Sequence, residues 1–135
     1  MKLEREEVRG IFGVLVHTMD LDHERSQDER HFLLRFLEAI GRSQEELETL
    51  LREVREHPDI EWHVERIRSR KGRIYALQQA LLLALSDGHY KVVERAGLTQ
   101  LAERLGVDDV LFEDLEQWAL EGAGWQIRGA ALLAR

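Results

Sequence analysis

Apolar residues recur at helical spacing along the whole of this chain. Val8, Ile11, Phe12, Leu15 and Met19 advance by threes and fours and make one stripe, which predicts a first helix ending near Met19 and Asp20. Ser26 and Glu29 then have the form of a capping box. In such a box the hydroxyl accepts from an amide three residues on and the carboxylate reaches back to the cap. The stripe Phe32, Leu33, Phe36, Leu37 and Ile40 follows, and Gly41 is placed to stop it in the left-handed conformation. A second box, Ser43 with Glu46, opens a run through Leu47, Leu50, Leu51 and Val54, which His57 and Pro58 close. Asp59 can cap a helix carrying Ile60, Val64 and Ile67. Residues 74–85 are apolar on most faces, as expected of a helix at the centre of a bundle, whereas their counterpart at 9–20 is more amphipathic. A helix over 91–105 stops at Gly106, and Asp108 caps another over 109–120. Gly122 and Gly124 are expected to break the chain before a last short helix at 125–133. No segment alternates with period two, so no strand is predicted.

The pattern repeats. Residues 22–51 laid over 87–116 without a gap give eight identities in thirty pairs: Asp22/Asp87, Glu29/Glu94, Arg30/Arg95, Leu33/Leu98, Glu38/Glu103, Gly41/Gly106, Glu48/Glu113 and Leu50/Leu115. Internal repetition is a fold-level signal. It predicts an all-α single domain over 1–135, a helical bundle with pseudo-symmetric halves at 9–55 and 74–120 and a C-terminal extension at 121–135. Each copy also carries an Asp in a loop and, seven residues on, Glu-Arg in the first turn of the next helix.

Composition narrows the chemistry. A chain of 135 residues with 44% apolar content can bury one core. The absence of cysteine excludes a disulfide framework, a thiolate metal site and a cysteine nucleophile, and fits a reducing compartment. The N-terminal residues lack the apolar core of a signal peptide, and the longest apolar run, 80–85, is far short of the ~20 residues that cross a bilayer. A cytoplasmic protein without membrane insertion is therefore expected. Net charge is −7, yet Arg66, Arg68, Arg70, Lys71 and Arg73 fall together with no acid among them. The rest of the chain is thus more acidic still, which disfavours nucleic acid and favours cations or basic partners. The basic stretch, with Arg68 and Arg70, either offsets acidic helices of the same domain or meets an acidic partner. Trp125, beyond two glycines, is the expected contact with another chain, a partner protein or a second copy. No phosphate loop, nucleophile elbow or helical zinc motif is present, which argues against familiar enzymes rather than all enzymes.

The loop carboxylates carry two readings. A loop Asp accepts backbone amides and a first-turn Glu suits the positive end of a helix, so capping accounts for both. Carboxylates on short loops also supply the oxygens a hard cation needs. Asp20, Asp22, Glu24, Ser26 and Asp28 alternate as in an EF-hand, but Arg25 and His31 stand where that loop needs Gly and Glu. The second loop offers Asp87, His89 and Glu94. If the halves pack about a pseudo-twofold axis, the loops could share Asp22, Glu29, Asp87 and Glu94, with Asp20, Glu24, Asp28 and His89 as secondary candidates. Such a cluster needs neutralising, by a cation or by Arg30 and Arg95. Oxygen-only ligands point to calcium or magnesium.

The stretch from Leu83 to Gly88 with Glu94, Arg95 and Leu105-Gly106-Val107 resembles the tellurite-resistance TerB-like family. Met19 to Asp22 with Asp28, Glu29, Arg30 and Ile40-Gly41 resembles that family's other half. Ser86 and His23 depart from the small residues of the family pattern. The resemblance implies about seven helices in two halves and a metal-binding acidic cluster at Asp22, Glu29, Asp87 and Glu94. It also implies a stress-response module without enzymatic activity that works beside protein partners. A metal-free protein-interaction module and a metal-assisted hydrolase with an open cleft between the halves are the competing readings.

Overall fold

A computed structural model describes residues 3–20, 27–85 and 90–133, with the backbone alone at 20, 27–29, 126 and 127. Among them the chain forms seven helices and no strand. These are α1 (Arg5–Asp20), α2 (Gln27–Ala39), α3 (Glu46–Glu56), α4 (Ile60–Arg66), α5 (Arg70–Ala84), α6 (Val92–Leu105) and α7 (Asp109–Leu133). The order α1–α2–α3 returns as α5–α6–α7, with α4 between, as the repeat predicts.

The two halves end their middle helices in the same way. Gly41 and Gly106 take φ of 77° and 74°, the left-handed conformation that costs a side chain but not a glycine. Beyond them Arg42 N–H donates to Leu37 O at 2.8 Å and Val107 N–H to Ala102 O at 2.9 Å. Gly41 and Gly106 themselves donate to Glu38 O and Glu103 O. Both pairs form the Schellman pattern that satisfies the last carbonyls of a helix. The partners are equivalent residues of the repeat.

Several starts also follow from sequence. Asp59 accepts from Glu61 N–H at 3.0 Å and Asp108 from Leu111 N–H at 2.8 Å. At α3 the expected box of Ser43 with Glu46 is not formed: Ser43 accepts from Glu45 N–H at 3.1 Å, one turn ahead of the helix, whose N-cap is Glu45 without a side-chain cap bond. The box at Ser26 lies outside the described residues. Ser69 accepts from Gly72 N–H at 2.9 Å, so α5 begins at Arg70 and the basic stretch rides on its first turn rather than preceding it.

Two expectations are corrected. The pattern marks α5 as the central helix and α1 as amphipathic, but both are central. Ile11, Phe12, Val14 and Leu15 are fully buried, and α1 touches α2, α3, α4, α5 and α6. Its apparently non-apolar side carries Gly10 and Gly13, which α4 covers. A Cβ at Gly10 would lie 2.5 Å from the His63 carbonyl oxygen, so α4 crosses where α1 has no side chains. Glycine registers in no hydrophobic stripe, and this second buried face goes unread. The other correction concerns α7, which runs unbroken to Leu133 through Gly122, Gly124 and Gly129. A helix-interior glycine costs about 1 kcal/mol relative to alanine, against ~3 for proline; it weakens a helix without ending it.

Candidate functional site

The carboxylates singled out from sequence belong, by their place in the chain, to the segments that join α1 to α2 and α5 to α6 and to the helix ends beside them. Asp22, Glu24, Asp87 and His89 lie outside the described residues. Of Asp20, Asp28 and Glu29 the backbone is given: Asp20 ends α1, and Asp28 and Glu29 fall in the first turn of α2. Glu94 is described in full. It occupies the third position of α6, is 6% exposed, and holds one carboxylate oxygen 3.4 Å from the Lys91 amide, which donates to it. A first-turn carboxylate so placed sits at the positive end of the helix dipole. Among the described residues no group of three or more His, Asp or Glu side chains is set to hold a metal.

Arg30 and Arg95, the repeat's paired guanidiniums, have described partners on the third helix of each half. Arg30 reaches Glu48 on α3 at 3.0 Å. Arg95 grips Glu116 on α7 through two nitrogens, at 2.8 and 3.3 Å. The same carboxylate accepts from the Tyr90 hydroxyl at 2.7 Å. Burial first, and then Glu116, push the Tyr90 phenol well above its ordinary pKa, so it stays a donor at every physiological pH. Hydrogen bonding to Glu116 likewise raises Arg95. In each half, then, the arginine of the repeat motif ties the middle helix to the last.

A second polar cluster lies where the apolar stripes of the chain do not mark one. His63 on α4 is fully buried. Its Nε2 donates to the His57 carbonyl at 2.7 Å, which leaves the lone pair on Nδ1. That nitrogen has no hydrogen-bond partner among the described residues and faces Gly13 of α1. The His17 ring packs 5.6 Å away. Next to it Trp62 is sandwiched: the His57 ring stacks at 3.7 Å and 7°, and the Arg66 guanidinium lies 3.4 Å from the ring centre. Cation–π and stacking geometry thus fix the corner between α3 and α4, and Arg9 joins it by bonding Glu53 at 2.9 Å. The available clue was the spacing of Gly10 and Gly13 on an otherwise apolar helix.

The basic stretch divides. Arg66 approaches Glu6 at 3.9 Å, and Arg73 donates to the Ile67 carbonyl at 2.8 Å. Arg68 and Arg70 are exposed, and so is Trp125. A groove of about 420 Å³ lies between α2, α5 and α7, walled by Phe32, Phe36, Leu82 and Leu85. Among the described residues its polar lining is Arg35 and Gln79.

A family model, Tellurite resistance protein TerB, matches residues 9–117. The chain belongs to the TerB family. No curated protein and no solved structure matches it. The TerB match takes in both halves and ends partway along α7, before Trp118 and Trp125. Among the described residues no helix of this TerB chain is long and apolar enough to cross a membrane.

Proposed function

We propose that this TerB-family chain is a non-enzymatic module of a tellurite-resistance-type stress response. In this reading it holds a divalent cation, calcium or magnesium, through Asp22, Glu29, Asp87 and Glu94. The observation that supports it most directly is Glu94: a carboxylate 6% exposed, at the foot of α6 and beside the loop that carries Asp87. Glu94 stands in the first turn of α6, next in the chain to the loop of Asp87, where a carboxylate is placed to join a cation held by the loop acids. Oxygen-only donors suit a hard cation. When bound, the ion would supply positive charge that lets acids from two loops approach one another. The protein's part is to present those acids at the ends of rigid helices.

Calorimetric titration of the full chain with calcium chloride tests this. Saturable heat with a rise in melting temperature is expected, and both should be lost when Asp22 and Asp87 are changed together to Asn. Millimolar calcium giving neither heat nor a thermal shift removes the cation. The second reading, a metal-free interaction module, is favoured by one observation: α7 leaves Trp118 47% and Trp125 66% exposed, and exposed indoles are common anchors of protein contacts.

A further inference from the structure

Helix α7 packs on the bundle through Phe112, Leu115 and Ala119, and from Trp125 onward its described side chains are exposed. One line along this exposed half reads Trp118, Gly122, Trp125, Gly129, Leu132. The steps are four, three, four and three, the spacing that keeps one seam facing a partner helix along a coiled coil. Bulky and absent side chains alternate along it. A Cβ added at Gly122 or Gly129 would meet no atom of the chain within 4 Å, so the glycines serve no close packing within the molecule. Each weakens the helix relative to alanine, and no close contact of a Cβ position with the bundle offsets that.

We propose that α7 pairs antiparallel with α7 of a second copy of this chain, each tryptophan seating over a glycine of the other. The register follows from the sequence. With the twofold axis between Ala123 and Gly124, Trp118 lies over Gly129 of the second copy and Trp125 over Gly122. The reverse contacts are generated by symmetry, as a self-complementary twofold interface requires. A parallel pairing would set tryptophan against tryptophan and leave the glycines facing each other across a void.

Charge complementarity selects the same occupant. From 118 to 133 the only charged residues are Glu121 and Arg128. They are seven apart, so both flank the same side of the seam, where antiparallel helices bring like positions together. Glu121 of each copy then meets Arg128 of the other, twice. The bundles are held at opposite ends of the pair, because each α7 packs on its own bundle through Ala119, borders the groove at Gly122 and Ala123, and has its described side chains exposed from Trp125 onward.

This pairing deepens the interaction reading of α7 and is independent of the cation. Sedimentation equilibrium of the full chain is expected to show a monomer–dimer equilibrium. Gly129→Leu fills one hole and improves helix propensity; it is expected to weaken the dimer at least about tenfold while helix content by circular dichroism is kept or increased. Glu121→Arg and Arg128→Glu are each expected to weaken it several-fold, and the two together to restore it. A chain that stays monomeric up to about 500 µM overturns the proposal. So does a dimer indifferent to Gly129→Leu and to the charge swap; that result would leave α7 open as a surface for another protein but refute the antiparallel seam.

Discussion

Gly13 of α1 and His63 of α4 share one space: a Cβ on the glycine would overlap the imidazole, meeting Nδ1 first. The ring is fully buried and fixed from its other side by the His57 carbonyl, so it has nowhere to move. Gly13→Ala is expected to cost about 1–3 kcal/mol, the range for overpacking a filled core. Urea denaturation would measure it. An alanine tolerated at no cost would mean that the ring is not held where it is.

The same histidine makes stability depend on pH. Burial, and secondarily His17, lowers its pKa below the ordinary 6.5, while the bond to His57 and the charge of Glu53 act the other way. As pH falls, the unfolded chain takes up this proton before the folded one. Between 6.5 and the lowered folded value the unfolded state binds more protons, so this group's contribution to stability falls through that window and is level above it. Melting temperatures from pH 8 to pH 5 should drop less steeply for His63→Leu than for the unaltered chain, whatever the variant's absolute stability.

Glu7 joins the start of α1 to the start of α5. One of its oxygens accepts from the Ser69 amide at 3.1 Å and from the Ser69 hydroxyl at 2.5 Å, and that hydroxyl caps Gly72. Glu7 is 7% exposed, and its bonds to Ser69 are part-buried, so its removal takes a charged acceptor from the Ser69 amide and hydroxyl. Glu7→Ala is expected to destabilise by about 1–3 kcal/mol. Ser69→Ala, which also removes the cap, is expected to cost a similar amount, and the double variant less than the sum. Additive losses in a double-mutant cycle would show that the two act separately.

Gly124 lies within α7, where an added Cβ would meet no atom within 4 Å, and its backbone is outside the left-handed region. It is also off the Trp118–Gly122–Trp125 seam. Gly124→Ala is expected to stabilise the helix by about 0.5–1 kcal/mol, read as increased helix content and a higher melting temperature. A loss of stability would show that this glycine is needed for a close approach.

Much of the framework was legible in the chain. The stops at Gly41 and Gly106 and the caps at Asp59 and Asp108 depend on a few neighbouring residues, and their chemistry is local. The alignment of one half on the other carried the fold class, because equivalent residues, Leu37/Ala102 and Glu38/Glu103 among them, accept equivalent bonds. The Arg30 and Arg95 positions were visible, but their partners were not. Glu116 is three residues past the repeat equivalent of Glu48, almost one helical turn, and turns that lie so close in space look distinct in sequence. Of the proposed acidic site, sequence marked the residues, and Glu94 is the one whose side-chain surroundings the structure describes.

By itself the sequence determined that this is a doubled all-helical chain, because helix periodicity, caps and glycine stops are written in residues a few positions apart. The tertiary structure alone decided that α1 lies at the centre, since glycine faces become buried surface only when another helix arrives. It also decided that a histidine is sealed between α1 and α4. Those outcomes depend on which faces meet across tens of residues, and pairwise packing of that kind leaves no local trace in the chain.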